Sequence, residues 1–351
     1  MLEPLNYQVP NLPSQEQSWR LHLDDRAGTD KAITKKALYR DFSATEKTIP
    51  IFSRGWWLDA SAGADNWDVA LVESNGKIIA SLPYVLQKHM GFAMLTQPPL
   101  TQSLGPWMRE SNARPPKKLG QQKDLMEALI AQLPRFDHYA QNWHYSQTNW
   151  LPFYWHGFKQ TTRYTYVLND LRDLNKVYAE FENSKRANIK KSQKLVDIVF
   201  DIPADEFYDN HRLTLAKRGA KISYSRDLFK RIHDAGYANN SARTVGAYDK
   251  SGNLHAALFV VWDAMSAYGL ICTIDPDYLT HGAASLLNMA IIDFVADKTC
   301  KFDFEGSMSE PVERSFRQYG AVQIPYFAVS KTPSRLLKTY LFLKDLKSSE
   351  S

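Results

Sequence analysis

The chain has 351 residues, more than one hydrophobic core usually organises, so two domains are expected. Its 44% apolar and 23% charged residues are those of a folded globular protein, which excludes a disordered or collagen-like chain. The formal net charge of +5 suits an anionic ligand, but 38 acidic against 43 basic residues exclude the strong single-sign field of a nucleic-acid-binding domain.

Cys272 and Cys300 are the only cysteines, too few for a disulfide framework or a metal site, which points to a reducing compartment. Met1 to Pro13 lacks a basic region followed by an apolar core, so no signal peptide is expected. The longest unbroken apolar run, Ala256 to Trp262, is too short to span a bilayer. A cytoplasmic protein without a membrane span is the expectation.

In chain order, residues to about Gln17 read as an extended lead-in and Ala32 to Phe42 as a first helix. The aromatic cluster Phe52 to Leu58 precedes a hairpin of strands Asp68–Ser74 and Lys77–Gln87 around Asn75-Gly76, a strong two-residue turn signal. A third strand, Phe92–Thr96, runs into Pro98-Pro99. Gly120-Gln121 precede a helix with Leu125, Met126, Leu129, Ile130 and Leu133 on one face. Strands Phe136–Trp143 and Thr162–Leu168 flank an aromatic loop at Asn149 to Phe153.

Asp170 to Gln193 reads as one helix, with helices at Asp205–Lys217 and Arg226–Ala238 after it. Then strand, Gly252 turn, strand and strand recur over Val245–Asp249, Leu254–Asp263 and Ala267–Asp275. A helix from Ala283 to about Asp297 carries apolar residues at Leu286, Leu287, Ala290, Ile291, Phe294 and Val295. A short strand at Lys301–Phe304, a helix near Val312–Tyr319 and a strand near Pro325–Ser330 close the chain.

The two halves repeat one order: a three-strand meander, a helix, a strand, a helix or loop, and a strand. The hairpin glycines Gly76 and Gly252 and the strands from Phe136 and Phe302 stand at matching places, with loops of different length. A diverged duplication explains this order, although antiparallel α+β domains also share such an order without common descent.

With Phe302-Asp303-Phe304-Glu305-Gly306-Ser307, then Arg314, Phe316, Gly320 and Ala321, the pattern resembles the acyl-CoA N-acyltransferase (GNAT) fold in the tandem form of the FemAB-like acyltransferases. The run Lys185-Arg186-Ala187-Asn188-Ile189-Lys190 resembles that family's basic Arg-x-Asn-x-x-Lys element. The resemblance implies an α+β fold of two GNAT-like domains, each a mixed, mostly antiparallel sheet flanked by helices, at residues 1–168 and 169–351. It implies transfer of an acyl or aminoacyl group to an amine acceptor, such as an amino sugar of a cell-wall or polysaccharide precursor. Acyl-CoA is the expected donor and aminoacyl-tRNA a disfavoured alternative. A non-catalytic glycan- or partner-binding module on the same scaffold is the rival reading.

Several constellations carry this chemistry. His281, Gly282, Ala283, Ala284 and Ser285 open a helix where the resemblance places the pyrophosphate of the acyl carrier. Leu279 stands there in place of the family's Arg or Gln. Asp303 and Glu305, two apart on a strand, share a face and form a candidate base pair for amine attack, or an ion pair with Arg314 or Arg317. Arg186 and Lys190 share one helical face and, by the resemblance, meet phosphates. Trp150 and Phe153 are candidate walls for a sugar or acyl group, and Ser307 and Arg314 complete the expected substrate contacts. His138, His144 and His281 lie near these loops, but no histidine pair has metal-ligand spacing, so no metal is expected.

Overall fold

The computed structural model describes residues 34–306 and 308–349. The first half runs α1 (Lys35–Thr45), a short 3-10 helix (Ile51–Ser53), α2 (Gly55–Ala62), β1 (Trp67–Ser74), β2 (Lys77–His89), β3 (Phe92–Thr96), β4 (Trp107–Met108), α3 (Pro115–Ile130), β5 (His138–Asn142), α4 (Leu151–Trp155) and β6 (Lys159–Leu168). The second half runs α5 (Leu174–Ala179), α6 (Asn183–Ser192), β7 (Asp197–Phe200), α7 (Ala204–Lys217), α8 (Arg226–Ala238), β8 (Ala242–Tyr248), β9 (Leu254–Trp262) and β10 (Ala267–Ile274). It continues through a 3-10 helix (Pro276–His281), α9 (Ala283–Val295), β11 (Phe302–Asp303), α10 (Glu310–Arg317), β12 (Val322–Lys331) and α11 (Arg335–Ser349).

Both meanders form where the turn residues permit. Asn75 and Gly76 both take left-handed backbone, at φ 50° and 70°, the geometry of a tight hairpin between β1 and β2. The Thr34 side chain caps α1 by accepting from the Ala37 amide, and Ser225 caps α8 through the Leu228 amide. All twelve strands join one sheet of order β1-β2-β3-β5-β12-β6-β11-β10-β9-β8-β7, with β4 set against β2.

The last strand of each half lies among strands of the other. β12 pairs antiparallel with β6 from Val322 opposite Val167 to Ser330 opposite Lys159, and with β5 on its other edge. β6 in turn pairs with β11. The core follows the same exchange. Phe52, Trp57 and Ala60 from the first half pack with Phe207, Phe229, Ile232 and Phe259 from the second. On the opposite face of the second-half strands, α9 buries Leu286, Leu287, Ile291 and Val295 among Phe181, Val260 and Phe302. β9 is covered on both faces, so its residues from His255 to Trp262 are all buried and read as a continuous apolar run.

Several sequence expectations need correction. Gly120 lies inside α3, which begins five residues earlier at Pro115, a residue suited to a first helical turn. The single helix expected over Asp170–Gln193 is two, α5 and α6. The turn at Gln318–Gly320 enters the break. The Glu182 amide donates to the Gln318 carbonyl, and Gly320 sits so close that a Cβ there would lie 2.5 Å from the Glu180 Cβ. The aromatic loop at Asn149–Phe153 runs into the helix α4, and β4, β7 and α11 had no counterpart in the sequence reading.

Candidate active site at the junction of the halves

β11 is two residues long because the chain must bend at once. It pairs parallel with β10, Tyr268 beside Asp303, and antiparallel with β6, Asp303 beside Val167. The Phe304 amide still donates to the Tyr166 carbonyl at 2.9 Å. Glu305 then takes left-handed backbone at φ 60°, and a Cβ on Gly306 would stand 1.8 Å from the Tyr164 carbonyl oxygen. Only glycine passes that point. The bend leaves Phe302 and Phe304 in the core and turns both carboxyls toward the junction.

Asp303 accepts hydrogen bonds from the Thr165 hydroxyl and from the Glu305 amide at 2.8 Å. Both carboxyls line a buried pocket of about 30 Å³, room for one water, together with Gln102, Tyr268 and Tyr326. The Glu305 Oε1 atom is buried there with no hydrogen-bond partner. Burial raises Asp303 to about 7 despite the Thr165 and amide hydrogen bonds. Burial, then the nearby Asp303 charge, pushes Glu305 well above the usual range. The two carboxyls titrate as a pair. Asp303 is thereby poised to exchange a proton near neutral pH.

His144, Tyr145 and Tyr268 line both this pocket and a neighbouring cleft of about 700 Å³ between the halves. The first half supplies Trp107 to Ser111 and the face of α3 from Lys118 to Leu125. The second half supplies the turn from Asp263 to Tyr268, and Lys301. Asp263 fixes that turn by accepting from the Ile51, Met265 and Ser266 amides at 2.7–3.0 Å. The Ser146 amide donates to His144 Nδ1 at 3.2 Å, which leaves the ring proton on Nε2, 3.4 Å from the Tyr268 hydroxyl. Burial, with Lys301 nearby, lowers His144 to about 4, so the imidazole is neutral. Buried Asp303, flanked by a neutral imidazole and un-ionised phenols, is therefore equipped to take a proton from a group entering through the cleft.

The start of α9, the expected carrier cradle, packs against α6. Gly282 is left-handed at φ 80°, and a Cβ there would lie 2.7 Å from the main-chain carbonyl oxygen of Asn188 on α6. Lys191 adds a bond to the Thr280 carbonyl, while Ala283 and Ser285 are buried and Ala284 is half-buried. Gly282 thus lets α6 pack closely against the start of α9.

The remaining candidates scatter. His281 faces His255, their Nδ1 atoms 3.4 Å apart, and is remote in contact terms from the carboxyl pocket. Arg186 bonds Asn183 at 3.3 Å and Lys190 is exposed, both on α6. Trp150 packs partly buried at the start of α4. Phe153, expected as a substrate wall, is instead fully buried against Trp143 and Phe158 in the first-half core. Arg314 is exposed on α10, and the Arg317 expected as a carboxylate partner bonds Glu313. Ser307 lies outside the described residues. The sequence reading did not single out Gln102, Thr165, Tyr268 or Tyr326. Only the alternation along β6, which turns Thr165 and Val167 to one face, carried any local sign of them.

Residues 170–310 match the acetyltransferase (GNAT) domain family. Among solved structures, FemX is similar at a TM-score of 0.62 and 9% identity, over 84% of this chain and 96% of that one. The C-terminal domain of a putative lysylphosphatidylglycerol synthetase from Agrobacterium fabrum is similar at 0.51 and 11% identity, over 89% of this chain and 96% of that one. A conserved protein of unknown function from Bacteroides thetaiotaomicron VPI-5482 is similar at 0.51 and 12% identity, over 85% and 97%. At such identities the likeness is one of fold, and it extends over both halves. No curated protein matches the sequence.

Proposed function

We propose that the protein transfers an acyl or aminoacyl group from an activated carrier to an amine, a reading that rests on the match of residues 170–310 to the acetyltransferase (GNAT) domain family and on the likeness of fold to FemX. The buried Asp303–Glu305 pair, in a small pocket that shares His144, Tyr145 and Tyr268 with an interdomain cleft, is the observation that carries this reading. The acceptor, for example an amino sugar, lies in the cleft with its amine toward Asp303. The amine nitrogen attacks the acyl carbonyl carbon, a C–N bond forms, and the C–S bond of a thioester or C–O bond of an ester breaks. The proton shed by nitrogen passes to the Asp303 carboxylate and returns to the departing carrier. Burial holds Asp303 at a useful basicity, and the Glu305 carboxyl beside it, raised in the same direction, disfavours a second negative charge in the pocket.

Acyl-CoA is the first donor to test. Its phosphates would meet Lys301 in the cleft, with Arg109 and Lys118, which pair with Glu46 and Glu110 in the free protein. The likeness to a putative lysylphosphatidylglycerol synthetase keeps an aminoacyl ester as the second donor. The assay offers acyl-CoA thioesters or aminoacyl-tRNA with a panel of amines and follows carrier release. The wild-type rate should rise with pH to a plateau above about 7, and Asp303→Asn should lower kcat by roughly 10²–10⁴-fold and flatten that profile. A folded Asp303→Asn protein that keeps its rate would remove the base from the mechanism.

A further inference from the structure

Two stretches of the chain, residues 138–168 and 314–344, contain no Asp or Glu, in a protein that has 38 acidic residues. The fold brings them together, because they hold β6 and β12, paired along their length. The cations they carry include Lys159, Lys331, Arg335, Lys338 and Lys344, with no carboxylate from either stretch to offset them. The same two stretches carry α4 and the first ten residues of α11, up to Lys344 with Asp345 next, and both helices leave large apolar side chains in solvent. Leu151, Tyr154 and Trp155 are exposed on α4, Trp155 by 56%. On α11, Leu336, Tyr340 and Leu343 recur at the spacing of one helix side, and Leu336 is 78% exposed. Leu337, on another side of α11, is buried and anchors the helix to the body.

The two helices belong to one surface. Lys331, four residues before α11, donates to the His156 carbonyl at the end of α4 at 2.7 Å and lies over the Phe158 ring. Arg335 and Lys344 are exposed on either flank of the apolar side of α11, and Lys338 is exposed on the side away from it. Apolar side chains flanked by lysine and arginine, with Trp and Tyr alongside, are what a helix needs to lie in a membrane interface, its apolar side roughly 5–10 Å into the headgroup boundary. Phosphates of a nucleic acid would satisfy the cations but offer nothing to Leu336 and Leu343.

We propose that the surface formed by α4 and α11 docks the protein on an anionic lipid bilayer. Docking on it is peripheral, since among the described residues no helix is long and apolar enough to cross a membrane. The cations bring the protein to the headgroups, and the leucines and aromatics hold it there.

Full-length protein is sedimented with vesicles of phosphatidylglycerol mixed into phosphatidylcholine, and with phosphatidylcholine alone. It should pellet with the anionic vesicles and stay in solution with the neutral ones. Leu336→Asp with Leu343→Asp should release it, and Arg335→Glu with Lys344→Glu should lower partitioning by at least about tenfold, because each cation near an anionic surface contributes to binding. All four sites are exposed, and circular dichroism checks that the variants fold. Failure to pellet with anionic vesicles overturns the proposal. So does salt-sensitive RNA binding that ignores the leucine changes, or a dimer that the same changes abolish without any effect on vesicles.

Discussion

Asp303 and Glu305 hold their protons more tightly in the folded chain than in the unfolded one, and this has a thermodynamic sign. From the ordinary Asp value of 3.8 up to about 7 the folded state retains a proton that the unfolded state has lost. Stability therefore falls as pH rises through that window, and the penalty is complete above it. Glu305 acts in the same direction. The double variant Asp303→Asn, Glu305→Gln should melt above the wild type by roughly 5 °C at about pH 8, with the gap closing toward about pH 4. Thermal melts followed by circular dichroism across pH decide this, and a wild type that stays the more stable at high pH would show that the carboxylates are not buried as described. The sequence reading named this pair by its spacing on a strand, yet the strand ends at Asp303. What brings the two together is the left-handed Glu305 and the missing side chain at Gly306, and left-handed backbone at a glutamate leaves no mark in a sequence.

α9 shows what a helix start can and cannot reveal before its neighbours are known. Its apolar stripe from Leu286 to Val295 and the punctuation at Gly282 were plain in the sequence. That Asn188 would cover Gly282 was not, because α6 lies nearly a hundred residues away and its basic run reads as solvated. Gly282→Ala tests the packing role. It should lower unfolding stability by about 1–3 kcal/mol through left-handed strain and the Asn188 clash, as read by urea denaturation. A neutral effect would mean that the face is open after all. The strands of both meanders were legible for the opposite reason, since β-branched runs bounded by Asn75-Gly76 or Gly252 carry their turn chemistry locally. β7 and β4 were not, being four and two residues long and held by partners rather than by pattern.

The order of the elements in each half gave the tandem arrangement, but nothing in the sequence says that β6 and β12 change places between the halves. Edge pairing between distant strands depends on surfaces that exist only after both halves collapse. The exchange leaves each half incomplete: β6 sits among second-half strands, and Phe52 and Trp57 fill a second-half core. Residues 1–168 and 169–351 produced as separate chains should each lack a cooperative melt, while the intact chain unfolds in one transition seen alike by fluorescence and circular dichroism. A sharp, independent melt of either fragment would refute this. The same exchange shapes how the protein is made. β12 fills the slot between β5 and β6, so those two strands, long since out of the ribosome, wait with unpaired edges until β12 has been synthesised. Translation that stalls before β12 would release chains with an open sheet. Those chains, rather than any mutant of the finished protein, are the ones that most need a chaperone.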